Sequence, residues 1–306
     1  MHPRDQDAGV SVPDGAIKAH GYKGGESRST LFSGCAIEQA GAPARQATIA
    51  LARALDLELW EAAATGCCGA RADRRVNDAA VRLLVAPLRE AAGQGLAILC
   101  LSPACCRVVM AHASSASLDK LGQGSAIRVV DTLQFLTQDD GLKRLTHAVR
   151  MPLYSLRVAS HGVCHGDHAA PRGERRTDAV PPADSALVQL ITAAGAAPLQ
   201  DVSIAGKCAD IPLVSGTARI DADSPAPACL TLAASAGADL LVTPCFLCFG
   251  YLNDRQRRLD RGDPARSVPV LHLSQMLGLA CGVAPSRLVL ERLAVPSRRL
   301  FAPFIR

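Results

Sequence analysis

Apolar positions fall along the chain in two rhythms that take turns. Short apolar runs come first: Thr30-Leu31-Phe32, Leu57 to Ala63, and Leu96-Ala97-Ile98-Leu99-Cys100-Leu101. Each is predicted as a strand, and Leu96 to Leu101 has the pattern of a buried one. Between them lie stretches with helical spacing. Ala44 to Leu55 is Ala-rich with helical spacing at Ile49, Leu51 and Leu55, and Val76 to Ala92 places Val81, Leu83, Leu84 and Leu88 on or near one face before Gly93 and Gly95 stop it. Helix is also predicted from Cys106 onward, and Val129 to Leu142 is predicted as the helix that closes the first half.

The second half repeats this grammar. Leu156 to Ser160, Leu199 to Ile204, Leu240 to Val242 and Val268 to Leu271 are predicted strands. Ser185 to Ala194, Pro225 to Ala236 and Ser274 to Leu279 are predicted helices, the first two ended by Gly195 and Gly237. Ala169 to Pro182 is polar and proline-bearing, a loop. The first 28 residues are polar and rich in Gly, Asp and Lys, and are expected to form a flexible tail. Strands alternating with helices predict an α/β chain with mostly parallel sheets. The expected units are residues 29–150 and 151–306, related by a pseudo-two-fold.

Composition narrows the class. Hydrophobic residues make up 49% of the 306, enough for a substantial core, while aromatics are only 3%, so Leu, Val, Ile and Ala must fill it. A net charge of +5 singles out neither nucleic acid nor a membrane surface, and stacking aromatics are scarce. No apolar run is long enough to span a bilayer. The start, MHPRDQDAGVSVPDG, lacks the apolar segment of a secretory signal, so the cytoplasm is the expected compartment.

The 12 cysteines change the picture most. Gly66-Cys67-Cys68-Gly69 holds a vicinal pair, poor material for a disulfide framework, so metal or cluster binding is the expectation. Cys35 precedes it and Cys105 follows it. Cys164, Cys208, Cys245 and Cys248 form a weaker second version, and the interval from Cys68 to Cys105 equals that from Cys208 to Cys245. In each half the cysteines follow predicted strand ends. The carboxyl ends of parallel strands share one edge, so thiols distant in sequence can converge there. Thiolates bind zinc tetrahedrally and also hold iron–sulfur clusters.

The layout resembles the CCG (cysteine-rich domain) family, and within it the CCG-bearing subunit of heterodisulfide reductase and its bacterial sulfur-oxidising versions. The matching segments are Ser33-Gly34-Cys35, Gly66-Cys67-Cys68-Gly69-Ala70, Ser102-Pro103-Ala104-Cys105, His161-Gly162-Val163-Cys164-His165, Gly237 to Cys248, and Val270 to Ala280. The resemblance implies two tandem related domains that hold [4Fe-4S] clusters, one or two, cubane or noncubane. Their ligands would be Cys35, Cys67, Cys68 and Cys105, and Cys164, Cys208, Cys245 and Cys248. It also implies oxidoreductase chemistry on a thiol or disulfide substrate, with Cys67 and Cys68 at the reacting site. Expected partners are a ferredoxin-like iron–sulfur subunit and a flavoprotein subunit, with no nucleic acid and no membrane span.

The chain departs from the family at two places. Ser102 stands where the first cysteine of the first CxxC belongs, since Leu96 to Cys106 overlays Asp239 to Phe249 without gaps. Lys207 and Ala209 flank Cys208, where the family has a cysteine and a glycine. Each unit thus keeps four of five cysteines, and Ser102, Cys106 or Lys207 can each be asked to take part. Cys100, Cys229 and Cys281 lie outside the pattern and are expected in the core. His161 and His165 flank Cys164 as candidate hydrogen-bond donors to cluster sulfur, and His272 is expected to be structural. Arg255, Arg257, Arg258, Arg261, Arg298 and Arg299 are expected on solvated faces. Two other functions fit the same cysteines: an iron–sulfur subunit of a lactate or glycolate oxidase, and a zinc-bound or metal-free scaffold.

Overall fold

The computed structural model describes residues 28–34, 41–61, 68, 96–113, 128–137, 140–162, 183–199, 226–259, 262–263 and 267–304. The described strands form two four-stranded sheets with the same order, parallel throughout. In the first half β1 (Arg28–Phe32) and β3 (Ala97–Cys100) are central, with β2 (Glu58–Glu61) and β4 (Val129–Asp131) at the edges. In the second, β5 (Arg157–Ser160) and β7 (Leu240–Thr243) are central, with β6 (Ala197–Pro198) and β8 (Val270–His272) outside. The chain leaves β1, pairs β2 on one side and returns to place β3 on the other. That puts a topological switch point between β1 and β3, and another between β5 and β7.

The helices cover the sheets: α1 (Ala42–Ala54), α2 (Pro103–Ala113), α3 (Thr132–Thr137), α4 (Gly141–Ala148), α5 (Ala183–Ala193), α6 (Ala226–Ser235), α7 (Phe246–Arg258), α8 (Leu273–Ala280) and the short α9 (Arg298–Phe301). The sequence accounts for α1 directly. Pro43 starts it, and Ala44, Ala47, Thr48, Leu51 and Ala52 recur at helical spacing on its buried face. Gly195 and Gly237 end α5 and α6 with φ of 81° and 67°, left-handed values that favour glycine. Gly141 opens α4 for a different reason. A Cβ there would clash with the carbonyl oxygen of Phe135, so only glycine lets α4 fold back this closely on α3.

One continuous core joins the halves, running from Leu31 and Leu99 in one sheet to Leu241 and Leu271 in the other. The halves grip each other reciprocally. α1 packs on α8, and its equivalent α5 packs on α3, the equivalent of α8. Such an exchange of like contacts is what a two-fold relation between two copies produces. A buried contact between the hydroxyls of Thr48 and Ser274, 2.8 Å, ties α1 to α8.

Two expectations change. Val129 to Leu142 is not one helix: Val129–Asp131 is β4, and α3 and α4 follow. Val129 and Val130 are β-branched and pair with Ile98 and Leu99, so burial against β3 outweighs a helical reading of the run. The strand expected over Leu199 to Ile204 begins earlier, with Ala197–Pro198 as β6, and residues 200–204 lie outside the described ones. The expected helix Val76 to Ala92, the loop Ala169 to Pro182 and, up to residue 27, the expected tail also lie outside them. Arg255, Arg257 and Arg258, expected on a solvated face, form the last turn of α7, whose first half buries Phe246, Cys248, Phe249 and Leu252.

Candidate metal centre at the strand ends

Each switch point is followed by a helix that begins on the cysteine segment. β3 ends at Cys100, and α2 starts at Pro103, which places Cys105 and Cys106 in its first turn. β7 ends at Thr243, Cys245 is the N-cap of α7, and Cys248 lies one turn on. Unpaired N–H groups and the positive end of the helix dipole favour thiolate at such positions.

Cys68, which follows β2, is buried, and its sulfur lies 3.2 Å from the sulfur of Cys105. The interval visible as a sequence regularity is therefore a spatial contact. Cys245 and Cys248 are equally buried. All eight described cysteines, Cys68, Cys100, Cys105, Cys106, Cys229, Cys245, Cys248 and Cys281, are reduced thiols. Cys35, Cys67, Cys164 and Cys208 lie outside the described residues, as do His165 and Lys207. Among the described residues no three His, Cys, Asp or Glu side chains converge as a metal ion would need. The donor chemistry of what is described fits a thiolate-bound centre: two buried thiols in contact in one half, and two at a helix N-terminus in the other.

The edges of the two sheets meet at this place. The Ser102 hydroxyl lies 3.4 Å from the Cys245 sulfur, and both residues are buried. Two further equivalent residues face the same thiol. Asp131 ends β4 opposite Cys100, and His272 ends β8 opposite Thr243. Each opens a helix with its own N–H bonded to a Gln three residues on and its side chain accepting from an N–H of the first turn. The Gln134 N–H donates to Asp131 Oδ1 at 2.8 Å and the Asp131 N–H to Gln134 Oε1 at 3.3 Å. The His272 N–H donates to Gln275 Oε1 at 2.9 Å, and the Ser274 N–H donates to His272 Nδ1 at 3.3 Å.

These bonds assign the His272 tautomer. Nδ1 accepts, so the proton sits on Nε2, which donates to the Pro244 carbonyl at 3.2 Å. Burial pushes the His272 pKa down to about 4, against the opposing pull of Cys245 and the Pro244 carbonyl, so the ring is neutral at pH 7. Burial pushes Asp131 up to about 6, opposed by N–H donation from Gln134 and Leu133 and reinforced by Cys245. A residue of each half thus senses Cys245.

The remaining cysteines behave as core. Burial first, then a hydrogen bond to Cys106 and the nearby Cys106, Cys105 and Asp131, push the Cys100 thiol well above its ordinary range. Burial takes Cys229 to about 12 and Cys281 to about 11, the latter against the pull of Arg150. Cys229 touches His161 Nδ1 at 3.7 Å. His272 is structural, as expected, and acts as a helix cap. Asp131 is absent from the sequence candidates because its segment reads as mid-helix; the Asp-x-x-Gln spacing that announces a cap is the available signal.

Residues 29–110 match the family model described as the cysteine-rich domain, CCG, which bears out the resemblance read from the cysteine segments. Two curated relatives align over most of the chain. The 8-methylmenaquinol:fumarate reductase membrane anchor subunit of Wolinella succinogenes is 26% identical over 88% of this chain and 98% of its own. A subunit of the ferredoxin/F(420)H(2)-dependent CoB-CoM heterodisulfide reductase of Methanosarcina acetivorans is 25% identical over 90% of this chain and 96% of its own. A crystal structure of a hypothetical protein from Helicobacter pylori shares the fold, with a TM-score of 0.55 at 11% identity over 88% of this chain; the chain spans about half, 52%, of that protein. Both curated relatives are subunits of reductases. Among the described residues no helix is long and apolar enough to cross a membrane.

Proposed function

We propose that the chain is an iron–sulfur subunit of a heterodisulfide-reductase-like complex, coupling electron transfer to thiol–disulfide chemistry in the cytoplasm. The observation that supports it most is the buried Cys68–Cys105 sulfur pair at one switch point, matched by Cys245 and Cys248 at the equivalent point of the other half. Cys35, Cys67, Cys68 and Cys105 would hold one cluster, and Cys164, Cys208, Cys245 and Cys248 a second. A bound [4Fe-4S] cluster supplies one-electron redox chemistry next to a sulfur substrate.

The chain's own residues do the rest. The N-termini of α2 and α7 stabilise thiolate, and burial excludes water from Cys68, Cys105, Cys245 and Cys248. His272, neutral and held by its cap bonds, donates to the carbonyl of Pro244 and fixes the backbone that presents Cys245. The intact Cys67-Cys68 pair makes the first set the place for disulfide chemistry, with the second as relay. A ferredoxin-like subunit and a flavoprotein subunit would deliver electrons.

The same sulfur pair supports a second reading. Two thiolates on one tetrahedral ion with bonds of about 2.3 Å stand about 3.8 Å apart. The 3.2 Å between Cys68 and Cys105 is near enough for the first set to hold a single zinc. Substitution with metal analysis separates the readings. Cys68→Ala removes one iron–sulfur cluster and leaves the other if both sets hold clusters. If the first set holds zinc, C68A loses zinc and keeps all its iron. Loss of neither metal sinks both.

A further inference from the structure

We infer that Ser102, though it belongs to the first half, serves the metal set of the second half as a hydrogen-bond donor to the sulfur of Cys245. The inference rests on the reading of Cys245 as a ligand, and it gives Ser102 a positioning role in place of a ligand's.

Ser102 and Cys245 are 143 residues apart, and β3 (Ala97–Cys100) leads β7 (Leu240–Thr243) by the same interval. They are therefore the same position in the two copies, and they touch each other at 3.4 Å. Equivalent residues in contact lie on the axis that relates the halves, so the pseudo-two-fold passes between this hydroxyl and this sulfur. A cysteine at 102 would set two ligand sulfurs against each other on that axis. Serine there replaces one sulfur with a donor.

The chemistry fixes the direction of the bond. A thiol and a hydroxyl can each donate, but a deprotonated sulfur only accepts, so Ser102 must donate once Cys245 is a metal-bound thiolate. Both groups are buried, where such a bond to an ionised acceptor is strong. Donation to ligand sulfur favours the more negative, reduced form of a bound centre and so raises its potential. It also orients the sulfur for any thiophilic ion, since outer partners of this kind typically contribute about 10–100-fold in metal affinity.

The test uses the full chain, metal-free and carrying Cys68→Ala and Cys105→Ala so that the first set keeps only two of its four thiols and the second set fills first, titrated with cobalt(II) and followed by thiolate-to-cobalt charge-transfer absorption. Adding Ser102→Ala should weaken cobalt binding about tenfold, Ser102→Thr should restore it, and S102A should have no effect once Cys245→Ala is present. Equal affinity with and without S102A, a loss that S102T does not restore, or a loss that persists beside C245A overturns the inference. If C245A does not fold, the comparison of S102A with S102T decides. The cobalt titration needs no iron–sulfur cluster. A wild-type chain that holds no iron therefore refutes the proposed function while leaving this result readable. In the iron-loaded protein the same substitution should lower the midpoint potential of one centre.

Discussion

Gln275 offers a sharp test of how the metal-facing edge is held in place. Its side chain is wholly buried and makes two bonds: Oε1 accepts the His272 N–H at 2.9 Å, and Nε2 donates to the Leu288 carbonyl at 2.8 Å. Gln275→Leu keeps the volume and removes both, stranding a backbone donor and a backbone acceptor. Each stranded group costs about 1–3 kcal/mol, and the buried leucine returns about 1.5–3 kcal/mol through its own transfer from water. The net is a loss of about 2 kcal/mol, or about 4–6 °C in Tm for a chain of this size. Gln134 holds the equivalent place on α3 but is half-buried, and its bond to the Asp131 N–H is long at 3.3 Å. Gln134→Leu should therefore cost about 1 kcal/mol and about 2–3 °C. Differential scanning calorimetry at matched metal content reads both. Equal shifts for the two variants, or a Q275L chain within about 1 °C of wild type, would refute the burial argument.

Two further outcomes follow from the buried ionisable groups. Asp131, raised to about 6 from its ordinary 3.8, contributes stability that is full below about pH 4 and lost as pH rises through 6. His272, lowered to about 4 from 6.5, contributes stability that is present above pH 6.5 and lost as pH falls through 4. The two slopes oppose each other between about pH 4 and 6. Asp131→Asn, which can still cap α3, should gain stability over wild type across that range, reaching about 3 kcal/mol by pH 7 in urea titrations; a difference that stays flat with pH is the contrary result. Cys229 and Cys281, pushed to about 12 and about 11, should resist iodoacetamide at about pH 8 in the folded chain and react at once in urea, as mass mapping of the labelled peptides would show.

Much of the fold can be read from the sequence because each strand's apolar run is short and several helices carry their own stops. Gly195 and Gly237 are such stops, and the structure explains them by left-handed φ. β4 is hidden because Val129, Val130 and Asp131 run without a break into the apolar spacing of α3. Its partner β8 is legible, and mapping one half onto the other supplies β4. The pairing of Cys68 with Cys105 is visible as a repeated interval. The contact between Ser102 and Cys245 is not, because it depends on how the two copies face each other, and spacing within one copy carries no information about that. Ser102 looks like a degenerate ligand of its own half; the fold hands it to the other.

Anaerobic purification followed by assay of iron, acid-labile sulfide and zinc tests the central claim most directly. The account predicts iron and sulfide in equal amounts, about eight of each per chain with both sets loaded, or about four of each beside one zinc if the first set holds that ion. Zinc with no acid-labile sulfide would contradict it.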